Sequence, residues 1–265
     1  VGNLAEACDT KDFDIIEELL GNKKLVENIV IRKGQNKEFL ALLERAINAM
    51  VQEEIGKNVS EISDVQELER VIKSGKLPSF AMAELAGAFY HLRRDEESEG
   101  LASLITNTQN TVIDPVSQAN AYNTLGCIYL RQGNQVGSTE AHKSGLTLLN
   151  NQSNTDVNIQ WQKVKLGHGL VVDKVTSIGK LPNKKERKIL EDAREKLFAL
   201  QRTRKELGDT FNAPRVYLDV ARICVHLEGK KLATHYAKEA SDQMAQVGYL
   251  SGAEQANELL RQLRN

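Results

Sequence analysis

The chain has 265 residues, 41% hydrophobic and 27% charged, which excludes a disordered, collagen-like or disulfide-scaffold protein and is long enough to bury a sizeable core. Thirty-five Lys and Arg against 36 Asp and Glu leave a formal net charge of −1, so the chain as a whole is not drawn toward nucleic acid or an acidic membrane. Four prolines, six Phe, six Tyr and one Trp, beside many Ala, Leu, Glu and Lys, are the palette of helices rather than strands.

Two short amphipathic runs come first: Asp12 to Leu20, closed by Gly21, and Lys24 to Ile31, closed near Gly34. A longer helix follows, in which Phe39, Leu43, Ala46, Ile47 and Met50 recur at three- and four-residue steps. After Gly56, Ser63 and Gln66 form the pair of a capping box ahead of Val65, Leu68, Val71 and Ile72, and Gly75 and Pro78 end that helix. Helix and turn then alternate to a last stripe of Ala253, Ala256, Leu259, Leu260 and Leu263. Cys8, Cys127 and Cys224 sit in apolar helical patterns about a hundred residues apart, so they read as small core hydrophobes in a reducing compartment. No stretch approaches the roughly 18 apolar residues of a membrane span, and no secretory leader is visible, so a cytoplasmic location is expected.

Self-similarity appears in the middle of the chain. Residues 122–148 place Tyr122, Leu125, Gly126 and Tyr129 as W-x2-L-G-x2-Y, then a turn at Gly133 and Asn134, then a second helix with Ser138, His142 and Gly145. Forty residues earlier, Met82, Leu85, Ala86 and Phe89 fall on the same template, with Ser98, Ala102 and Ile105 after them. Tyr217, Val220, Ala221 and Cys224 repeat it, followed by Ala233, Ala237 and Ala240. A degenerate copy runs through Leu166, Gly167 and Leu170 to Ala193, Leu197 and Leu200; its anchor gap of 27 residues against 13 predicts two helices each extended by about two turns, with Lys180 to Lys185 as the turn.

This pattern resembles the tetratricopeptide repeat family, in a divergent and irregular form, since Ser138 and Gly145 stand where that family has Ala and Asn150 where it has Pro. The resemblance implies an all-α fold, a right-handed α-solenoid of antiparallel helix hairpins. Repeats are expected at about 79–112, 119–150, 158–207 and 214–247 within 76–250, with an N-terminal helical segment, 1–75, packed on them and a capping helix at 251–265.

Signals for chemistry are weak. The five histidines, His91, His142, His168, His226 and His235, form no HExxH or paired metal spacing, so no metal or other cofactor is expected. Gly167-His168-Gly169 lies inside a helical pattern without a preceding strand and reads as close helix packing rather than a phosphate loop. Trp161 reads as core, and Asn183 to Lys188 as a solvated basic face at a helix start. No nucleophile signature is present, and the chain is read as not an enzyme.

What remains is the surface that first helices of stacked hairpins present. By the resemblance, Asn123, Arg131, Gln162, Arg215 and Arg222 face the groove, with Cys127 and Leu218 beside them and Ala83, Gly87, Tyr90 and His91 at the earlier copy. The lysine and asparagine of a carboxylate clamp are missing there, so the expected ligand is an extended or acidic peptide segment of a partner protein, paired through the planar guanidinium forks. The expected partner is another protein or peptide, with self-association open and no nucleic acid bound by this domain. The alternative is a sensor domain of a larger signalling or transcription-regulating protein, favoured by a first residue that is Val rather than Met, which reads as a piece of a longer chain.

Overall fold

A computed structural model describes residues 2–22, 26, 37–61, 66–67, 70–71, 74, 77–108, 113–150, 152, 156–179, 181–209, 212–227 and 229–264. Among them the chain is all-helical, with twelve helices, 84% helix and no strand, and neighbouring helices pack on one another. It divides into two compact units, Val1–Gln152 and Ser153–Asn265.

The first unit opens with α1 (Gly2–Thr10) and α2 (Phe13–Gly21), the latter started by Asp12, whose carboxylate accepts from Ile15 N at 3.3 Å. The long helix read from the apolar stripe is α3 (Lys37–Ile55), and Leu43, Ala46, Ile47 and Met50 are buried on it as that stripe requires. The side chain of Phe39, the helix read over Lys24 to Ile31 and the cap at Ser63 lie outside the described residues. Then come α4 (Ser79–His91), α5 (Asp95–Asn107), α6 (Pro115–Arg131) and α7 (Gln135–Asn150). Pro115 supplies a preset φ to the first turn of α6, and Asp114 before it accepts from Ser117 N at 2.9 Å. One continuous core runs from Leu4, Ile16 and Leu20 through Met82, Leu85, Leu101 and Ile105 to Leu125 and Ala141.

The pair α4 and α5 is matched, forty residues on, by α6 and α7. Each pair is joined by a turn in which the chain reverses through a left-handed residue, Arg93 (φ 64°) in one and Gly133 (φ 80°) in the other. Arg94 N then donates to Phe89 O at 3.0 Å, and Asn134 N to Tyr129 O at 2.8 Å. The crossings match too: Ser98 Oγ donates to Ala86 O at 2.7 Å, and Ser138 Oγ donates to Gly126 O at 2.8 Å. The two serines thus tie each pair of helices together where small residues let them approach. A Cβ on Gly126 would overlap the His142 ring, with Cδ2 only 2.7 Å away, so this glycine is required by a close approach.

The second unit contains α8 (Val157–Thr176), α9 (Lys184–Glu206), α10 (Arg215–Leu227), α11 (Lys230–Gln246) and α12 (Leu250–Arg264). Helices α8 and α9 have 20 and 23 residues against 17 and 16 in α6 and α7, so α9 has the extension of about two turns that the wide anchor gap predicts, whereas α8 is longer by only about one. Asn183 starts α9 with a full capping box, reciprocated by Glu186. Val171, Leu190, Leu197, Val220, Ile223, Cys224 and Ala233 form one core, and Leu218, Ala240, Met244, Tyr249 and Ala256 a second.

Two expectations are corrected here. A Cβ on Gly167 would meet only Leu200 Cδ2 at 3.6 Å, an ordinary contact, so this glycine does not mark a close crossing as Gly126 does. Trp161 is half-buried rather than core, with Lys165 one turn on and its Nζ 5.4 Å from the ring centroid.

Candidate functional site

Helix α10 buries Val216, Leu218, Val220, Ala221, Ile223 and Cys224 and leaves Arg215, Asp219, Arg222 and His226 on the opposite side at helical spacing. Arg222 is 48% exposed along its side chain, and its Nη1 pairs with Asp219 Oδ1 at 2.8 Å. Arg215, in the first turn, is half-exposed, with its guanidinium carbon 6.0 Å from the Tyr249 ring centroid. The result is a stripe with two cations placed around one carboxylate, Arg222 the more exposed of them.

That carboxylate is anchored from behind. Asp219 Oδ2 lies 2.9 Å from His168 Nε2 on α8, and His168 Nδ1 lies 3.2 Å from Arg204 Nη2 on α9. A guanidinium can only donate, so His168 Nδ1 is the acceptor and Nε2 carries the proton given to Asp219. Arg204 Nη1 reaches Asp209 Oδ2 at 2.6 Å, and the other oxygen of Asp209 accepts from Asn212 N at 2.9 Å. His168, Arg204 and Asp209 are all buried.

Burial is the main force holding His168 below its ordinary pKa, and the positive charges of Arg204 and Arg215 add to it against the pull of Asp219. The ring is therefore neutral. For Asp219 burial acts upward, but the hydrogen bond from His168 and the charges around it, including Arg222 and Arg215, outweigh it and keep the carboxyl ionised well below the usual carboxylate range. Both imidazole nitrogens are engaged, so His168 has no free lone pair for general-base work. Its role is to fix Asp219, which in turn fixes Arg222.

The residues read as groove-facing fall in two different units. Asn123 and Arg131 belong to the first unit, and Gln162, Arg215 and Arg222 to the second. Asn123 is half-exposed on α6. Arg131 is committed inside its unit: Nη1 donates to Tyr90 O at 3.2 Å and pairs with Asp95, and the guanidinium lies 3.7 Å from the Tyr90 ring centroid. Its side chain is thereby held on α4 and α5 and only 21% exposed, against 48% for Arg222. Gln162 is only 6% exposed and cannot face a groove, because the stripe of α8 turns that position inward. Leu218, likewise, is packed on Ala240 and Met244. Only Arg215 and Arg222 share a face.

The sequence reading missed Arg204, Asp209 and Asp219. One signal was present: Arg204 continues the buried stripe of Leu190, Ala193 and Leu197, and a cation at a stripe position implies a buried partner. No group of three or more His, Cys, Asp or Glu among the described residues could hold a metal ion. No helix among them is long and apolar enough to cross a membrane. No protein-family model and no curated protein matches the chain.

Proposed function

We propose that this chain is a protein-protein interaction module, an α-solenoid of antiparallel hairpins as the tetratricopeptide resemblance implies, which binds an extended acidic segment of a partner over the exposed stripe of α10. Support for the repeat reading comes from the twin pairs α4–α5 and α6–α7, with equivalent serine-to-carbonyl bonds at Ser98 and Ser138. The observation that carries the ligand class is the presentation of Arg215 and Arg222 on one face, backed by a buried scaffold that stops Arg222 from folding away. Fixed guanidinium groups pair with carboxylates in two-pronged fashion and lose little freedom in doing so.

The test is a titration of the full chain with a fluorescent peptide of alternating Glu and Gly. Arg215→Ala and Arg222→Ala should each weaken binding about tenfold at low salt and flatten its salt dependence. Arg131→Ala should leave it unchanged. Equal affinity for the wild type and the doubly substituted chain rejects the assignment.

A further inference from the structure

The junction of α8 and α9 carries a feature that neither the core nor the α10 stripe uses. From position 174 to position 189 no described residue is buried: Asp173 is the last buried residue of α8 and Leu190 the first of α9. The end of α8 and the first turns of α9 therefore carry no fully buried residue and meet in a largely solvated tip. Ordering such a tip costs conformational entropy without burying much apolar surface in return.

Its chemistry is one-sided. Residues 174–189 hold six lysines and arginines against one glutamate, in a chain whose formal net charge is −1. Lys184, Lys185, Arg187 and Lys188 are exposed, and among the described residues none of these side chains is engaged in an ion pair or hydrogen bond. Glu186, the one acid, is turned back onto Asn183 N at 2.7 Å to close the cap. At the end of α8 and just after it, Val175 and Ile178 pack against the core and tether the loop, whereas Leu181 is 95% exposed, the most exposed large hydrophobic residue among the described residues.

We propose that this tip is a docking point for an anionic lipid leaflet, with Leu181 entering the acyl boundary and the cations of the first turns of α9 lying against the headgroups. A tethered loop that holds one leucine in water next to four cations without a partner among the described residues matches a surface that is negative outside and apolar beneath. A nucleic acid would meet the cations but leave Leu181 in water, and residues 174–189 contain no aromatic ring on which bases could stack. Each cation near an anionic surface contributes about fivefold in partitioning. The leucine adds about tenfold when its side chain leaves water.

Co-sedimentation of the full chain with vesicles tests this. Phosphatidylcholine vesicles containing phosphatidylserine should retain the protein at low salt, progressively less as salt rises, and vesicles of phosphatidylcholine alone should not. Leu181→Asp should lower retention about tenfold, and Lys184→Glu with Lys185→Glu and Lys188→Glu by more than tenfold. Because these side chains make no buried contact, helix content by circular dichroism and Trp161 emission should stay as in the wild type. Arg215→Ala with Arg222→Ala should leave vesicle binding untouched, so this surface and the peptide surface of α10 fail separately. No retention on phosphatidylserine vesicles overturns the proposal. So does retention that survives the triple charge reversal, or binding to a DNA duplex that outcompetes the vesicles and is indifferent to Leu181→Asp.

Discussion

The two units differ in the polar groups they bury where helices meet. In the first, α4–α5 and α6–α7 approach at Ala86 and Gly126, and a short serine hydroxyl bridges each gap to a main-chain carbonyl. In the second, α8, α9 and α10 are tied by long side chains, His168, Arg204, Asp209 and Asp219, that carry charge into the interior. Small residues give a close contact that tolerates no added atom, whereas long charged ones give a contact that tolerates no missing partner. The units should therefore break under different substitutions.

The largest effect is expected at Arg204. Arg204→Met strands Asp209, 3% exposed, as a buried carboxylate without its cation, and should cost the second unit roughly 3–5 kcal/mol. Arg131→Ala removes a pair whose side chains are 21% and 28% exposed and should cost about 1 kcal/mol. Urea unfolding followed by Trp161, the single tryptophan and a residue of the second unit, separates them, since only Arg204→Met should move that midpoint. An unmoved midpoint for Arg204→Met would show that the network does not hold the unit together.

Next is a pair of glycines at the same template position. Gly126→Ala forces the buried His142 ring to move and should cost roughly 1–3 kcal/mol in the first unit. Gly167→Ala meets nothing closer than 3.6 Å and replaces a mid-helix glycine, so it should stabilise the second unit by up to about 1 kcal/mol. Thermal melts that change in the same direction for both would erase the contrast between small-residue and long-residue crossings.

The network also makes the second unit sensitive to acid. The unfolded chain takes up a proton on histidine near pH 6.5, whereas folded His168, held below its ordinary value by burial, resists that proton. The stabilising difference is complete above that pH and is lost as pH falls from about 7 toward the depressed folded value, at up to about 1.4 kcal/mol per pH unit. Asp219, held low in the folded state, acts in the same sense only below about pH 4. Melts at pH 7.5 and 5.5 followed by Trp161 emission should show the fall, and His168→Gln, which keeps an acceptor and a donor but no titrating ring, should flatten it.

Local pattern accounts for what the sequence made legible. The stripe of Leu43, Ala46, Ile47 and Met50 and the end of α2 at Gly21 lie within single helices, where spacing alone assigns a face, and the correspondence of Ser98 with Ser138 follows from a spacing repeated after forty residues. The candidate site was harder because its geometry depends on residues far apart in the chain. His168 meets Asp219 across 51 positions and Arg204 across 36, and Arg131 meets Asp95 across 36. Whether an arginine faces solvent or a carboxylate is decided at those distances, and hence Arg131 was read as groove-facing while Arg204 went unnoticed. Gln162 was misplaced because the degenerate copy on α8 has Lys163 where the clear unit has Tyr122, which leaves its register loosely fixed, and on α8 the Gln162 side chain is turned inward.

The smallest effects probe the crossing itself. Ser98→Ala and Ser138→Ala each delete one buried hydroxyl-to-carbonyl bond of nearly equal length and should each cost about 1 kcal/mol, with the two values alike because the contacts are alike. The corresponding residue of α11 is Ala233, fully buried and twelve positions after Ala221, the same separation that joins Ser98 to Ala86 and Ser138 to Gly126. If α10 and α11 cross as the first-unit pairs do, the new hydroxyl of Ala233→Ser finds Ala221 O, and the substitution is neutral or slightly stabilising. If they cross differently, that hydroxyl is buried without an acceptor and costs about 1–3 kcal/mol. A loss of that size in the Trp161-detected midpoint would mean that the repeat is confined to the first unit.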